Sequence, residues 1–194
     1  MDLEFQAAVS GISKNDHSRQ NRALENMKFL VEIPHYAVKF AEGGHVPKLV
    51  EFLKYKRPNT SATLKCVYYL AKHSDNHKVR KASTLTTFRF NFDLLSIFVN
   101  SCYVELKEAI VKAGAVRCIV KLICRGEKGP DAIAVLLRLS KTEALREEIG
   151  KTEDCIPLLV SLLHNDNPDV SQKAQHISKN LSSNTSFKIK KKYI

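Results

Sequence analysis

The sequence predicts an all-α fold, an α-solenoid of about four helical repeats, the first incomplete, with one irregular insertion. Three observations predict it. A pattern recurs in Gly44-His-Val-Pro-Lys-Leu-Val-Glu-Phe-Leu53, Gly114-Ala-Val-Arg-Cys-Ile-Val-Lys-Leu-Ile123 and Asp154-Cys-Ile-Pro-Leu-Leu-Val-Ser-Leu-Leu163: Val or Ile at the third position, and apolar pairs at the sixth and seventh and at the ninth and tenth. Each copy runs into a polar or proline-containing break and then a longer amphipathic stretch. The apolar share, 44%, supports a core, yet no apolar run approaches the roughly 20 residues of a membrane span. A repeat that cannot bury its own apolar face must stack on its neighbours, and stacked helical repeats mostly bind other proteins.

The elements follow in order. Leu3–Ser13 and Asp16–Val31 read as the last two helices of a repeat without its first. In the second of these Ala23, Leu24, Met27, Leu30 and Val31 recur at steps of three and four, which makes one face apolar. Pro34 is expected to end that helix, because proline disfavours helix in the residue before it. A short helix over Tyr36–Glu42 stops at Gly43-Gly44. Val46–Lys54 follows, with Pro47 suited to a first turn, and after Pro58-Asn59 comes Thr60–Lys72. The middle copy has Val116–Cys124, a break over Gly126–Pro130 and Asp131–Ser140. The last has Ile156–His164, the break Asn165-Asp-Asn-Pro168 and Asp169–Leu181. The pairs Pro47/Pro58 and Pro157/Pro168 are both 11 residues apart. Leu49, Leu53, Leu70, Ile119, Ile123, Leu136, Leu159, Leu163 and Ile177 are the expected core.

One segment breaks the period. Gly114 to Asp154 is 40 residues, but Gly44 to Gly114 is 70. Removing Val79–Lys107, 29 residues, restores a spacing of 41. The segment holds Phe88, Phe90, Phe92 and Phe98 of the nine phenylalanines, and Phe88-Arg-Phe-Asn-Phe92 alternates with the period of a strand. Either it is a family-specific insertion packed on the solenoid or, the preferred reading, a translated retained intron. Lys78-Val-Arg80 fits a splice-donor consensus, and T-rich intron sequence translates into such a Phe/Leu/Ser/Val mixture. The expected organisation is 1–78 first repeats, 79–107 insertion, 108–187 later repeats and 188–194 basic tail.

The net charge is +11, four of it from Lys188, Lys190, Lys191 and Lys192 in the tail. The rest is spread over helix faces as a solvated surface. Five cysteines without paired spacing fit free thiols in a reducing compartment, cytoplasm or nucleus, and the N-terminus reads as lacking a secretory signal. No catalytic or metal-binding constellation is expected. Cys118 and Cys124 are six apart in an apolar helix and read as packed thiols. His73 and His77 are four apart without the acid of a His-Glu-x-x-His motif and read as helix-end residues. The expectation is a chain without enzymatic activity, cofactor or small-molecule substrate.

The three-helix grammar resembles the armadillo repeat, on Phe40-Ala-Glu-Gly-Gly-His-Val-Pro-Lys-Leu-Val50 and Val111-Lys-Ala-Gly-Ala-Val116. The stretch from Lys151-Thr-Glu-Asp-Cys-Ile-Pro-Leu-Leu-Val-Ser-Leu-Leu-His-Asn-Asp-Asn-Pro168 into Gln172-Lys-Ala-Gln-His176 and Asn180-Leu-Ser-Ser-Asn184 resembles the armadillo-like segment of plant ubiquitin ligases of the LIN/Cerberus type. That resemblance implies a U-box that recruits the ubiquitin-conjugating enzyme, C-terminal WD40 repeats and a role in rhizobial infection. Neither a U-box nor a WD40 blade is recognisable in this sequence. The armadillo resemblance further implies that third helices line a concave groove. Aligning Leu30, Leu70, Leu139 and Leu181 puts Phe29, Tyr69, Arg138 and Asn180 at one level of that groove, with Glu25, Lys65, Ala134 and His176 four residues earlier. The chain has no Trp, and only one ladder position is Asn, so a nuclear-import receptor for basic peptides is not expected. Aromatic, amide and cationic groups suit a protein or peptide ligand with acidic and apolar side chains. Phe29 and Tyr69 also have a packing reading, against the next repeat. The alternative function is a basic solenoid that binds nucleic acid or an anionic surface.

Overall fold

The computed structural model describes residues 2–14, 16–54, 59–83, 106–126 and 129–183, and among these every regular element is a helix. In chain order they are α1 (Asp2–Ser13), α2 (His17–Leu30), α3 (Pro34–Glu42), α4 (Val46–Lys54), α5 (Thr60–Ser83), α6 (106–112), α7 (Ala115–Cys124), α8 (Gly129–Ser140), α9 (Glu143–Lys151), α10 (Cys155–Leu163) and α11 (Pro168–Ser182). The chain divides into two compact units, Met1–Ala113 and Gly114–Ile194. The expected aromatic strand pattern, Phe98 and the basic tail lie outside the described residues.

In the first unit, Asp16 caps α2: its carboxylate accepts from the Ser18 and Arg19 backbone N–H groups at 2.9 and 3.3 Å. Pro34 differs from its expected role. It opens α3, where its missing N–H costs nothing, and Ile33 before it is extended with ψ 122°. Stacking of Phe5 on Tyr36 (ring centroids 5.1 Å apart) and the Lys39–Asp2 ion pair (3.1 Å) fasten α1 to α3. α5 packs on α2 one repeat away, with Leu24 and Leu64, Met27 and Val67, and Leu30 and Leu70 buried at equivalent positions, 40 residues apart. The Cys66 thiol donates to the Leu24 carbonyl at 3.8 Å across the pair. Ala62 and Cys66 are buried, whereas their equivalents Arg22 and Asn26 are exposed, so the side of α2 away from α5 is polar.

α5 continues to Ser83, well beyond the expected end at Lys72, so positions 73 and 77 lie inside a helix rather than at its end. Leu106 and Lys107, the last two residues of the expected insertion, are helical and each only 1% exposed.

In the second unit, α9 is an element that periodicity missed. Its sequence is mostly charged, and only Leu145 and Ile149, one turn apart, turn inward. α9, α10 and α11 repeat the order of α3, α4 and α5, two nine-residue helices and then a longer one. The turn before α4, α7 and α10 needs a left-handed residue: Gly44 (φ 69°), Gly114 (φ 83°) and, in the last copy, Asp154 (φ 63°). Across α8 and α11, Ala132 and Ala174, Val135 and Ile177, and Leu139 and Leu181 are buried at equivalent positions, 42 residues apart.

Of the expected core, Leu49, Leu53, Leu70, Ile119, Ile123, Leu136, Leu159 and Ile177 are buried. Leu163 is not; it is half-exposed. It shares a stripe on α10 with Ile156 and Val160, both also half-exposed, while the equivalent Val116, Val120 and Ile123 of α7 are buried.

Candidate protein-binding surface

In the first unit, the exposed and half-exposed residues of α5 between positions 60 and 72 fall on one stripe, Ser61, Lys65, Tyr68, Tyr69 and Lys72. The equivalent α2 stripe is Asn21, Glu25, Lys28, Phe29 and Glu32. Four expected site residues, Glu25, Phe29, Lys65 and Tyr69, therefore lie on the open faces of two helices packed against each other. Phe29 is 64% exposed, so the packing reading fails for it; Tyr69 is half-buried. The Lys28 ammonium lies 4.8 Å from the Phe29 ring centroid and also pairs with Glu25. The Lys72 ammonium lies 5.6 Å from the Tyr69 centroid, and the Tyr68 and Tyr69 rings meet edge to face at 5.6 Å. Ile33, one turn beyond Phe29, is 38% exposed.

Sequence alignment of the ladder positions missed Ile33, Lys28 and Lys72. Lys72 was detectable, because it is three residues past Tyr69 on the same stripe. Ile33 was not, because it lies in the bend between α2 and α3.

The second unit treats its row differently. His176 is exposed, and Arg138 and Asn180 are half-buried. The Asn180 side-chain amide donates to Ser140 Oγ at 3.0 Å, joining α11 to α8. Arg146 of α9 spans the same ends. Its Nε donates to the Ser140 carbonyl (3.0 Å), Nη2 to the Lys141 carbonyl (3.3 Å) and Nη1 to Ser183 Oγ (2.9 Å). A cation at helix C-terminal carbonyls is favourably placed against the helix dipole. Asn180 and Arg146 thus hold repeats together, and Ala134, level with His176, is only half-exposed.

Cys66, Cys118, Cys124 and Cys155 are free thiols. Cys118 is packed as expected. Cys124 is not: it sits at the last turn of α7, where its side chain is exposed. Burial pushes the Cys66 thiol far up from its ordinary range and Cys155 up to about 12. Among the described residues no three His, Cys, Asp or Glu side chains converge as a metal site, and no helix is long and apolar enough to cross a membrane.

Neither a family model nor a curated protein matches the sequence. Solved structures do. Two engineered proteins known from crystal structures are similar, with TM-scores of 0.52 and 0.53 at 17% and 18% identity, over 94% and 96% of this chain and 81% and 84% of theirs. A designed armadillo repeat protein in complex with peptide (KR)4 aligns at a TM-score of 0.47 and 14% identity, over 90% of this chain and 80% of that one. At such identities the first two likenesses bear on the fold alone. Together with the recurring order of two nine-residue helices and a longer one in α3–α5 and α9–α11, they identify an all-helical α-solenoid.

Proposed function

We propose that this chain is a non-catalytic scaffold that binds a protein or peptide segment along the open faces of its third helices, with acidic and apolar side chains in the ligand. The observation that carries the reading is the exposure of Phe29, 64%, at the repeat position of half-buried Tyr69. Leaving a phenylalanine in water forgoes about 2 kcal/mol of burial, and a partner recovers it. The nucleic-acid alternative has less support, because Glu25 and Glu32 interrupt the row and no continuous basic stripe forms on α2.

By the resemblance of 151–168 and 172–184, the scaffold corresponds to the partner-holding segment of a plant U-box ubiquitin ligase of the LIN/Cerberus type. In that reading the chain presents a substrate or partner and performs no ubiquitin transfer itself. The ladder set Glu25, Phe29, Lys65, Tyr69, Arg138, His176 and Asn180 stays the proposed contact set, with Asn180 the weakest member because its amide is engaged.

Selection of a peptide phage library on the immobilised chain tests the proposal. Enriched peptides are expected to lose binding to Phe29→Ala and Tyr69→Glu variants that melt like the parent. Enriched peptides indifferent to both substitutions, or no enrichment, would overturn it.

A further inference from the structure

The first unit's row defines its ligand more narrowly than the scaffold reading does, and the inference below rests on that reading. Lys65 is exposed and forms no ion pair among the described residues, and neither does Lys72. The two ammonium groups bracket Tyr69 on one stripe, which from Ser61 to Lys72 carries no carboxylate. Seven residues separate them, about 10 Å along the axis at 1.5 Å per residue.

Phe29 on α2 and Ile33 in the bend after it are an apolar shelf, 64% and 38% exposed. Phe29 and Tyr69 occupy equivalent positions on packed helices, whose axes lie roughly 8–10 Å apart. Of the two carboxylates on this row, Glu25 is paired with Lys28, and exposed Glu32 stands between Phe29 and Ile33 in the sequence. Unfilled positive charge therefore lies on α5 and unfilled apolar surface on α2. The second unit lacks this pairing, because the Asn180 amide and the Arg146 guanidinium are committed to internal bonds.

We propose that Phe29, Ile33, Lys65, Tyr69 and Lys72 form a docking site for an acidic peptide segment. One bulky apolar side chain of the segment lies on Phe29 and Tyr69, and carboxylates about 10 Å apart meet Lys65 and Lys72. Opposite charge directs the ligand to α5; the shelf on α2 fixes its register.

Fluorescence anisotropy with the full chain and a fluorescein-labelled probe, Asp-Glu-Glu-Leu-Phe-Glu-Glu-Asp, tests the site. One control probe replaces Leu-Phe with Ala-Ala, and another replaces every acid with its amide. The parent probe is expected to bind more tightly than either control, and added salt should weaken it. Lys65→Ala and Lys72→Ala should each raise Kd by about fivefold, the scale of one exposed charge pair. Phe29→Ala should raise Kd by a similar factor, while Lys121→Ala, at an exposed position of α7 outside the ladder set, leaves it unchanged. These surface substitutions remove no buried group, and thermal melts confirm that each variant is folded. Equal binding of the amide probe, or indifference to both lysine substitutions, overturns the proposal. Library peptides that bind the row while the acidic probe does not would remove the ligand class and leave the scaffold standing. Failure of both experiments removes both.

Discussion

Asn180 Nδ2 donates to Ser140 Oγ at 3.0 Å, linking residues one repeat apart on α11 and α8. Ser140 is fully buried, and its hydroxyl in turn donates to the Leu137 carbonyl at 2.8 Å. Ser183 accepts from Arg146 and donates to the Asn180 carbonyl at 2.8 Å, which closes the network. An asparagine that alignment places among ligand contacts thus registers one repeat on the next.

Ser140→Ala leaves the Asn180 amide without its acceptor and should cost about 1–2 kcal/mol. A double-mutant cycle with Asn180→Ala in urea denaturation should return a coupling of roughly 0.5–1.5 kcal/mol. A coupling of zero would show that the bond contributes nothing in solution.

Asp154 occupies the left-handed position that Gly44 and Gly114 hold in the other copies, with φ 63° and no side-chain cap bond. Asp154→Gly should therefore raise stability by up to about 1 kcal/mol, and Gly114→Ala should lower it by about as much. A Cβ at Gly114 would meet nothing within 4 Å, so its cost is the backbone's alone. Thermal melts decide; a lower midpoint for Asp154→Gly contradicts the account.

Leu106→Ala should cost about 2–4 kcal/mol, because the side chain is 1% exposed in the first unit. The same burial changes the expectation for removing Val79–Lys107. Joining Lys78 to Glu108 discards Leu106 and the end of α5, so that deletion should melt below the parent. An unchanged midpoint would show that the interruption includes these helix residues and is dispensable.

Thiol reactivity reads burial directly. In a Cys102→Ser background, Cys124 should react with a maleimide in seconds to minutes, while Cys66, Cys118 and Cys155 react only on unfolding. The Cys155 thiol is pushed from 9.0 to about 12, so its folded form holds the proton longer than its unfolded form. Stability from this group is complete below pH 9 and declines as pH rises toward 12. Cys155→Ala should flatten that alkaline limb in urea titrations; an unchanged limb would contradict the assignment.

The sequence reading found α1, α2, α3, α4, α7, α8, α10 and α11, through apolar residues at helical spacing and the glycine, proline and polar breaks between them. α9 was hidden because two inward residues make a weak signal, and α5 was cut short because its continuation past Lys72 is polar. Leu163 was misjudged because its equivalent, Ile123, is buried while the α10 stripe stays half-open. The open positions of Phe29 and Lys65 were legible from repeat alignment. The engagement of Asn180 was not, because Arg146 and Ser140 come from different helices and no linear spacing connects them.

The central claim, ligand binding along the third-helix row, is tested most directly by site-specific photocrosslinking. A library-selected peptide is irradiated with chains carrying p-benzoylphenylalanine in place of Phe29, of Tyr69 or of exposed Glu42 on α3. Adducts are expected at positions 29 and 69 and not at 42. Equal crosslinking at position 42, or none at 29 and 69 from a peptide that still binds, would place the ligand elsewhere and contradict the account.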